Sequence, residues 1–280
     1  SPNRAQNLFG TGKDGYTEGN PGGGIPATET TAAQFNTFQE ELCKLVEDEA
    51  VPLVKGDYTQ LSLAIRRMLD GFALATWINQ SSGSGNALYS VVWGAADALF
   101  CAVGVSGTIL TSPDGFTWTS RTSGTAQHLY AVAYAGGQFV VTGGLGTILT
   151  SPDGVTWTSR TSGTTEALYG VRCSAAGLWV AVGGAGKIQT SSDAVTWTSR
   201  TSGTSVELRN AAHDGTIWVV VGGSSATGTI LTSSDAITWT SRISTGANGL
   251  KGSAKNRANN FWVAVGDAGT ILSSTNGTIW

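Results

Sequence analysis

From about Thr76 onward, apolar residues fall in short alternating or continuous runs separated by Gly, Asp, Asn and Ser. One stretch reads LYAVAYA, QFVVTGG, GTILTS and VTWTSRT, from Leu129 to Thr161, with glycine-containing breaks. Runs of this length bounded by turn residues predict four short strands. The break SPDG has its own mechanism: Pro presets φ, Asp bonds back to the backbone, and Gly accepts a left-handed conformation. The pattern then returns in phase. Tryptophans follow the turns at Trp77, Trp118, Trp157, Trp197, Trp239 and Trp280, spaced 39 to 42 residues apart. Phe100, Phe139, Trp179, Trp218 and Trp262 head runs such as FCAVG and WVAVG. Each run is followed by GTIL or a variant, at Gly107–Leu110, Gly146–Leu149, Gly186–Gln189, Gly228–Leu231 and Gly269–Leu272.

A period near 40 residues, with four strands and a tryptophan per unit, is the form of a β-propeller blade. The expected fold is mainly β: a five-bladed propeller of four-stranded blades over residues 75–280, preceded by a small α-helical region. The segment ATWINQSSG (Ala75–Gly83) matches a fourth strand with no first three before it. The chain stops at Trp280, where a last fourth strand would start. The early strand is therefore expected to complete the last blade and close the ring, which removes exposed edges. Trp280 is a surplus copy that this count does not explain.

Residues 26–74 carry a different pattern. Thr31 followed by Gln34 opens a helix running to about Glu49, with Phe35, Phe38, Leu42 and Leu45 on one stripe. A second helix is expected after Asp57, with Leu61, Ile65, Met68 and Phe72 on one face. Two short helices bury such stripes poorly alone, so they either fold on the propeller or pack against copies of themselves; Phe35, Phe38, Leu42, Leu45, Leu61, Ile65 and Met68 are assigned to attachment or oligomerisation. Residues 1–25 are Gly-rich from Gly10 and are read as an irregular docking segment.

Charged residues are only 12% of the chain and net charge is −3, which argues against binding nucleic acid. No apolar run is long enough to span a bilayer, and no signal-peptide pattern opens the sequence. Cys43, Cys101 and Cys173 have no metal or redox spacing, and a free, buried thiol is expected at Cys101. His128 and His213 lie in different repeats, and the phosphate-loop and hydrolase motifs are missing. No cofactor and no enzymatic activity are expected.

Two resemblances follow from quoted residues. The units SPDGFTW (Ser112–Trp118) and SPDGVTW (Ser151–Trp157), with SSDAVTW, SSDAITW and STNGTIW, resemble the Asp-box repeat of sialidases and related propellers. Each copy is one residue shorter than the usual S-x-D-x-G-x-T-W. The resemblance implies that Asp114, Asp153, Asp193, Asp235 and Asn276 form turns away from any ligand. It does not extend to sialidase catalysis, because Arg121, Arg160, Arg200 and Arg242 recur at the repeat period instead of converging on one point. The repeats also resemble propeller scaffolds of the photosystem-assembly type, which leave residues 26–69 unaccounted for.

That segment, PATETTAAQFNTFQEELCKLVEDEAVPLVKGDYTQLSLAIRRML, closely resembles one near the N-termini of bacteriophage tail fibre and tail-tip proteins. The matching positions are Pro26–Thr28, Thr31, Ala32, Phe35, Asn36, Gln39–Leu42, Asp57, Thr59–Leu61, Ala64 and Ile65. The resemblance implies a homotrimeric virion protein that docks on other tail or baseplate proteins and is made in the host cytoplasm. Its propeller would bind a bacterial surface glycan or an outer-membrane protein, without inserting into a membrane. Alternatives are a structural tail component that meets only virion proteins, and a glycan depolymerase. Variation between repeats concentrates in GNALYSVVW, AQHLYAVAY, TEALYGVRC, VELRNAAHD and GANGLKGSAKNRANN, the last with Lys251, Lys255 and Arg257 as possible receptor contacts.

Overall fold

The structure, a computed structural model, describes residues 79–243, 248–256 and 261–280. The expected helices, with Phe35, Phe38, Leu42, Leu45, Leu61, Ile65 and Met68, lie outside the described residues, as do Ala75–Ile78 and Arg257. Gln80–Trp280 forms one compact unit.

Its strands fall into five antiparallel sheets in chain order. The first holds β1 (Leu88–Gly94), β2 (Leu99–Gly104), β3 (Ile109–Ser112) and β4 (Thr119–Arg121). The second holds β5 (Leu129–Ala135), β6 (Gln138–Gly143), β7 (Ile148–Ser151) and β8 (Thr158–Arg160). The third holds β9 (Leu168–Cys173), β10 (Trp179–Gly183), β11 (Ile188–Ser191) and β12 (Thr198–Arg200). The fourth holds β13 (Leu208–His213), β14 (Trp218–Ser224), β15 (Thr227–Ser233) and β16 (Thr240–Arg242). The fifth holds β17 (Leu250–Asn256), β18 (Phe261–Gly266) and β19 (Ile271–Ser274).

The sheets are arranged as propeller blades. First strands pack in sequence, β1 on β5, β5 on β9, β9 on β13 and β13 on β17. The core lies between blades. One cluster joins Val140 and Ile148 of the second sheet to Leu168 and Trp179 of the third, and its counterparts repeat the arrangement at the other three junctions. The alternation legible in each strand thus serves two interfaces, one on each face of the sheet.

The fourth strands are shorter than the sequence pattern predicts. VTWTSRT contributes only Thr158–Arg160 to the ladder, because the preceding amides are already committed. Asp153 Oδ1 accepts the N–H groups of Val155 and Thr156, both at 2.8 Å, and the Ser151 hydroxyl at 2.9 Å. Ser151 Oγ in turn accepts the Gly154 N–H at 2.8 Å, and the Trp157 indole donates to the Gly154 carbonyl at 3.2 Å. Asp114, Asp193, Asp235 and Asn276 make the same turn. Trp280 is therefore no surplus: its indole donates to the Gly277 carbonyl at 2.8 Å, and it packs on the cluster between the last two blades.

The last sheet has three strands among the described residues. The strand expected at Ala75–Gly83 is not formed over Asn79–Gly83, which is irregular and held by local serine bonds such as Ser82 Oγ to the Ser84 carbonyl, 3.1 Å. Among the described residues, the outward faces of the first and last sheets carry exposed apolar side chains. Ile271 is 71% exposed, whereas its counterparts Ile109, Ile148, Ile188 and Ile230 are fully buried. On the first blade, Val91 is 60% exposed against 7% for Val132.

Candidate functional site

Each first strand carries a β-bulge at the same place. Leu88 pairs with Gly104 and Ser90 with Val103, so Tyr89 is left without a partner across the ladder. The same irregularity isolates Tyr130, Tyr169, Arg209 and Lys251. A bulge re-aims the extra side chain and is a common device beside binding sites.

The bulge is locked by close backbone approach. The N–H of Gly144 donates to the His128 carbonyl at 2.8 Å, as Val105, Gly184, Gly223 and Asp267 do to their counterparts. A Cβ at Gly104, Gly143, Gly183, Gly222 or Gly266 would lie 2.0 to 2.4 Å from that carbonyl oxygen. The glycine opposite each bulge, at or near the end of the second strand, is thus what allows it.

The bulged side chains form a row across the blades. Ring centroids of Tyr89 and Tyr130 are 5.8 Å apart, and those of Tyr130 and Tyr169 are 5.1 Å apart. The Arg209 guanidinium carbon lies 4.2 Å from the Tyr169 centroid. Glu207 grips Arg209 through both carboxylate oxygens, at 2.6 to 2.8 Å. Lys251 reaches Asp267 at 3.1 Å and Glu207 at 3.9 Å. Burial, then the neighbouring Tyr169 and Tyr89, push the Tyr130 phenol above its ordinary value, so it remains a hydroxyl donor near neutrality. The row runs from aromatic at the first blade to ion-paired at the last. None of the row residues lines the cleft of about 630 Å³ formed by Leu145, Thr147, Arg160, Thr164, Glu166 and Lys187.

Chemically, the row offers partly exposed aromatic rings, phenol hydroxyls and compensated charges. Such a surface suits a ligand with alternating apolar faces and hydroxyl groups. Among the described residues, no three His, Cys, Asp or Glu side chains are grouped to hold a metal ion. Cys101 is fully buried, and burial pushes its thiol up to about 12.

The residues singled out from the sequence go elsewhere. The four Asp residues and Asn276 bind their own turns. Arg121, Arg160, Arg200 and Arg242 each donate from Nε to a threonine hydroxyl of the third strand, at 2.7 to 2.9 Å. Lys251 and Lys255 sit on β17, in place of a basic loop, and each is ion-paired. Only Lys251 joins the row. Tyr89, Tyr130, Tyr169 and Arg209 carried a signal in the recurring Leu-Tyr and Leu-Arg pairs, but period-two alternation assigns them no special direction. The bulge does.

No protein-family model matches the chain. It is 48% identical over 61 residues to "Uncharacterized protein StfP" of Escherichia coli (strain K12), which is 22% of this chain and 29% of that protein. The chain therefore spans under a third of the length of the curated relative it matches. Among solved structures, YCF48 from Cyanidioschyzon merolae is similar at a TM-score of 0.55 with 16% identity, covering 68% of this chain and 67% of that one. YCF48 bound to D1 peptide has a TM-score of 0.55 with 20% identity, over 73% and 69%. A COPII outer-coat chain reaches 0.52 with 12% identity, over 68% and 58%. At such identities the likeness is one of fold, and the fold is propeller-like.

Proposed function

We propose that the chain is a bacteriophage tail fibre or receptor-binding protein whose propeller attaches the virion to a glycan on the bacterial surface. The observation that carries the binding role is the row of bulged residues, Tyr89, Tyr130, Tyr169 and Arg209, continuous across four blades. Neighbouring, tilted tyrosines offer area at low conformational cost and hydroxyls for orientation. The tail assignment is supported by the resemblance of residues 26–69 and by the similarity to StfP. The protein acts by binding and not by catalysis, as a homotrimer held to other tail proteins by its N-terminal region.

Saturable binding of the labelled full chain to Escherichia coli cells, lost in the Tyr130→Ala, Tyr169→Ala double variant, is the expected result. Equal binding by both proteins would sink the assignment of the row.

A second reading, a structural tail component touching only virion proteins, is favoured by the exposed apolar side chains Val91 and Ile271. Under that reading no host cell binds the chain.

A further inference from the structure

At the far end of the same inner strands lies a second cluster, whose composition differs from the row. Two adjoining cavities, of about 310 and 200 Å³, share Arg172, His213, Asp214 and Lys255 in their walls. The smaller also includes Asn210 and Ser253.

The hydrogen-bond inventory of this cluster is one-sided. Asp214 is the single carboxylate, and both its oxygens are occupied. Oδ1 accepts the N–H of Thr216 at 2.7 Å, the Thr216 hydroxyl at 2.8 Å and the N–H of Ile217 at 2.8 Å, while Oδ2 takes the Lys255 ammonium. Asn210 Oδ1 is occupied too, accepting the Ser253 N–H at 3.2 Å and its hydroxyl at 3.0 Å. His213 Nδ1 accepts the Gly215 N–H at 3.1 Å, which leaves the proton of the neutral ring on Nε2.

What remains in the walls is therefore mostly donors: the Asn210 amide N–H groups, His213 Nε2–H, the unused N–H groups of Lys255, and the Arg172 guanidinium. Arg172 is exposed and has no ion-pair partner among the described residues. Two cations against one anion leave a single positive charge. That matches a carboxylate, and a guanidinium can bind one through two parallel bonds. The larger cavity lies near the lower end of the range for small-ligand sites, about 300 Å³, which suits one sugar ring and not an extended chain. Cys173 also lines it, but burial pushes that thiol up to about 11, so the site holds no thiolate nucleophile near neutrality.

We propose that Arg172, His213, Asn210 and Lys255 form a binding site for a sugar acid, with Arg172 holding its carboxylate. The site is separate from the tyrosine row and stands whether or not the row binds glycan.

The test is calorimetric titration of the full chain with sodium glucuronate, with glucose and sodium acetate as controls. Saturable glucuronate binding is expected, with glucose and acetate each much weaker. Arg172→Gln should weaken it by about tenfold or more, the scale of one charge-assisted bidentate contact. Because Arg172 is exposed, the variant should keep its near-ultraviolet circular dichroism, so a loss is assignable to the site. Failure of glucuronate to saturate, undiminished binding by Arg172→Gln, or equal binding of glucose would overturn the proposal. Acetate binding as tightly as glucuronate would overturn the assignment to a sugar.

Discussion

The guanidinium of Arg209 stands 4.2 Å above the ring of Tyr169, two residues that occupy the same bulge position in neighbouring blades. Glu207 also pairs with Arg209, so the cation is held over the ring at little further entropic cost. The blade-to-blade exchange of Tyr for Arg converts an aromatic row into a cation–π contact without interrupting it.

Tyr169→Ala should therefore do more to binding than to folding. A partly exposed cation–π contact is worth about 0.5–1 kcal/mol, and the midpoint of urea unfolding should move accordingly little. Binding to cells should fall much further, because the row is cut in the middle. A large loss of stability with binding intact would show the row to be structural.

Glycines with the same backbone sign should divide by what surrounds them. Gly146 has φ +68°, and a Cβ there would lie 1.9 Å from the Thr164 carbonyl oxygen; Gly163 has φ +75° and open space. Gly163→Ala is expected to cost about 1 kcal/mol, the ordinary penalty of a left-handed alanine. Gly146→Ala must also displace backbone, and about 3 kcal/mol or more is expected. Chemical denaturation of the two variants side by side gives the comparison.

The repeated turns should make the protein acid-sensitive. Backbone N–H bonds from Thr196 and Val195 hold Asp193 down to about 2, and those from Thr238 and Ile237 do the same for Asp235. A carboxylate depressed in the folded state contributes stability that is present above its unfolded value. That contribution is lost as pH falls through the folded one. Melting temperature should thus decline between about pH 4 and pH 2, the span from the ordinary carboxylate value to the depressed one. Asn276 already accepts the same bonds, from Thr278 at 2.9 Å and Ile279 at 3.0 Å. Asp193→Asn with Asp235→Asn should accordingly flatten the acid limb while leaving the fold intact. An unchanged limb would place the acid sensitivity elsewhere.

The isoleucine that recurs in each third strand offers a test of the exposed face of the last blade. Ile188 is fully buried between blades, and Ile188→Ala should cost about 2–5 kcal/mol through lost transfer energy and cavity. Ile271, 71% exposed, should cost under about 0.5 kcal/mol when changed to Ala. Equal costs, measured by urea unfolding, would mean that the face of the last blade is covered in solution.

The period, the strand order within a blade, and the Ser-Asp-Gly-Trp turn were legible in the sequence because each depends on neighbours within a few residues. Ser151, Asp153 and Trp157 close their turn among themselves, so a local motif suffices to read it. β8 is shorter than the same residues suggest, since the amides that bind Asp153 cannot also join the ladder. The recurring Leu-Tyr pair marks Tyr130 as a repeat position but not its direction, because alternation is blind to an added residue. Only the pairing of Leu129 with Gly143 and Ala131 with Thr142 exposes the bulge that leaves Tyr130 without a partner across the ladder. Likewise Arg172, His213 and Lys255 come from blades about 40 residues apart and meet only when first strands pack side by side. A repeated unit and its turns follow from residue order alone, since they are short-range hydrogen-bond problems. The tertiary structure decided which copies converge and which apolar side chains are exposed, because those depend on how one blade is seated against the next.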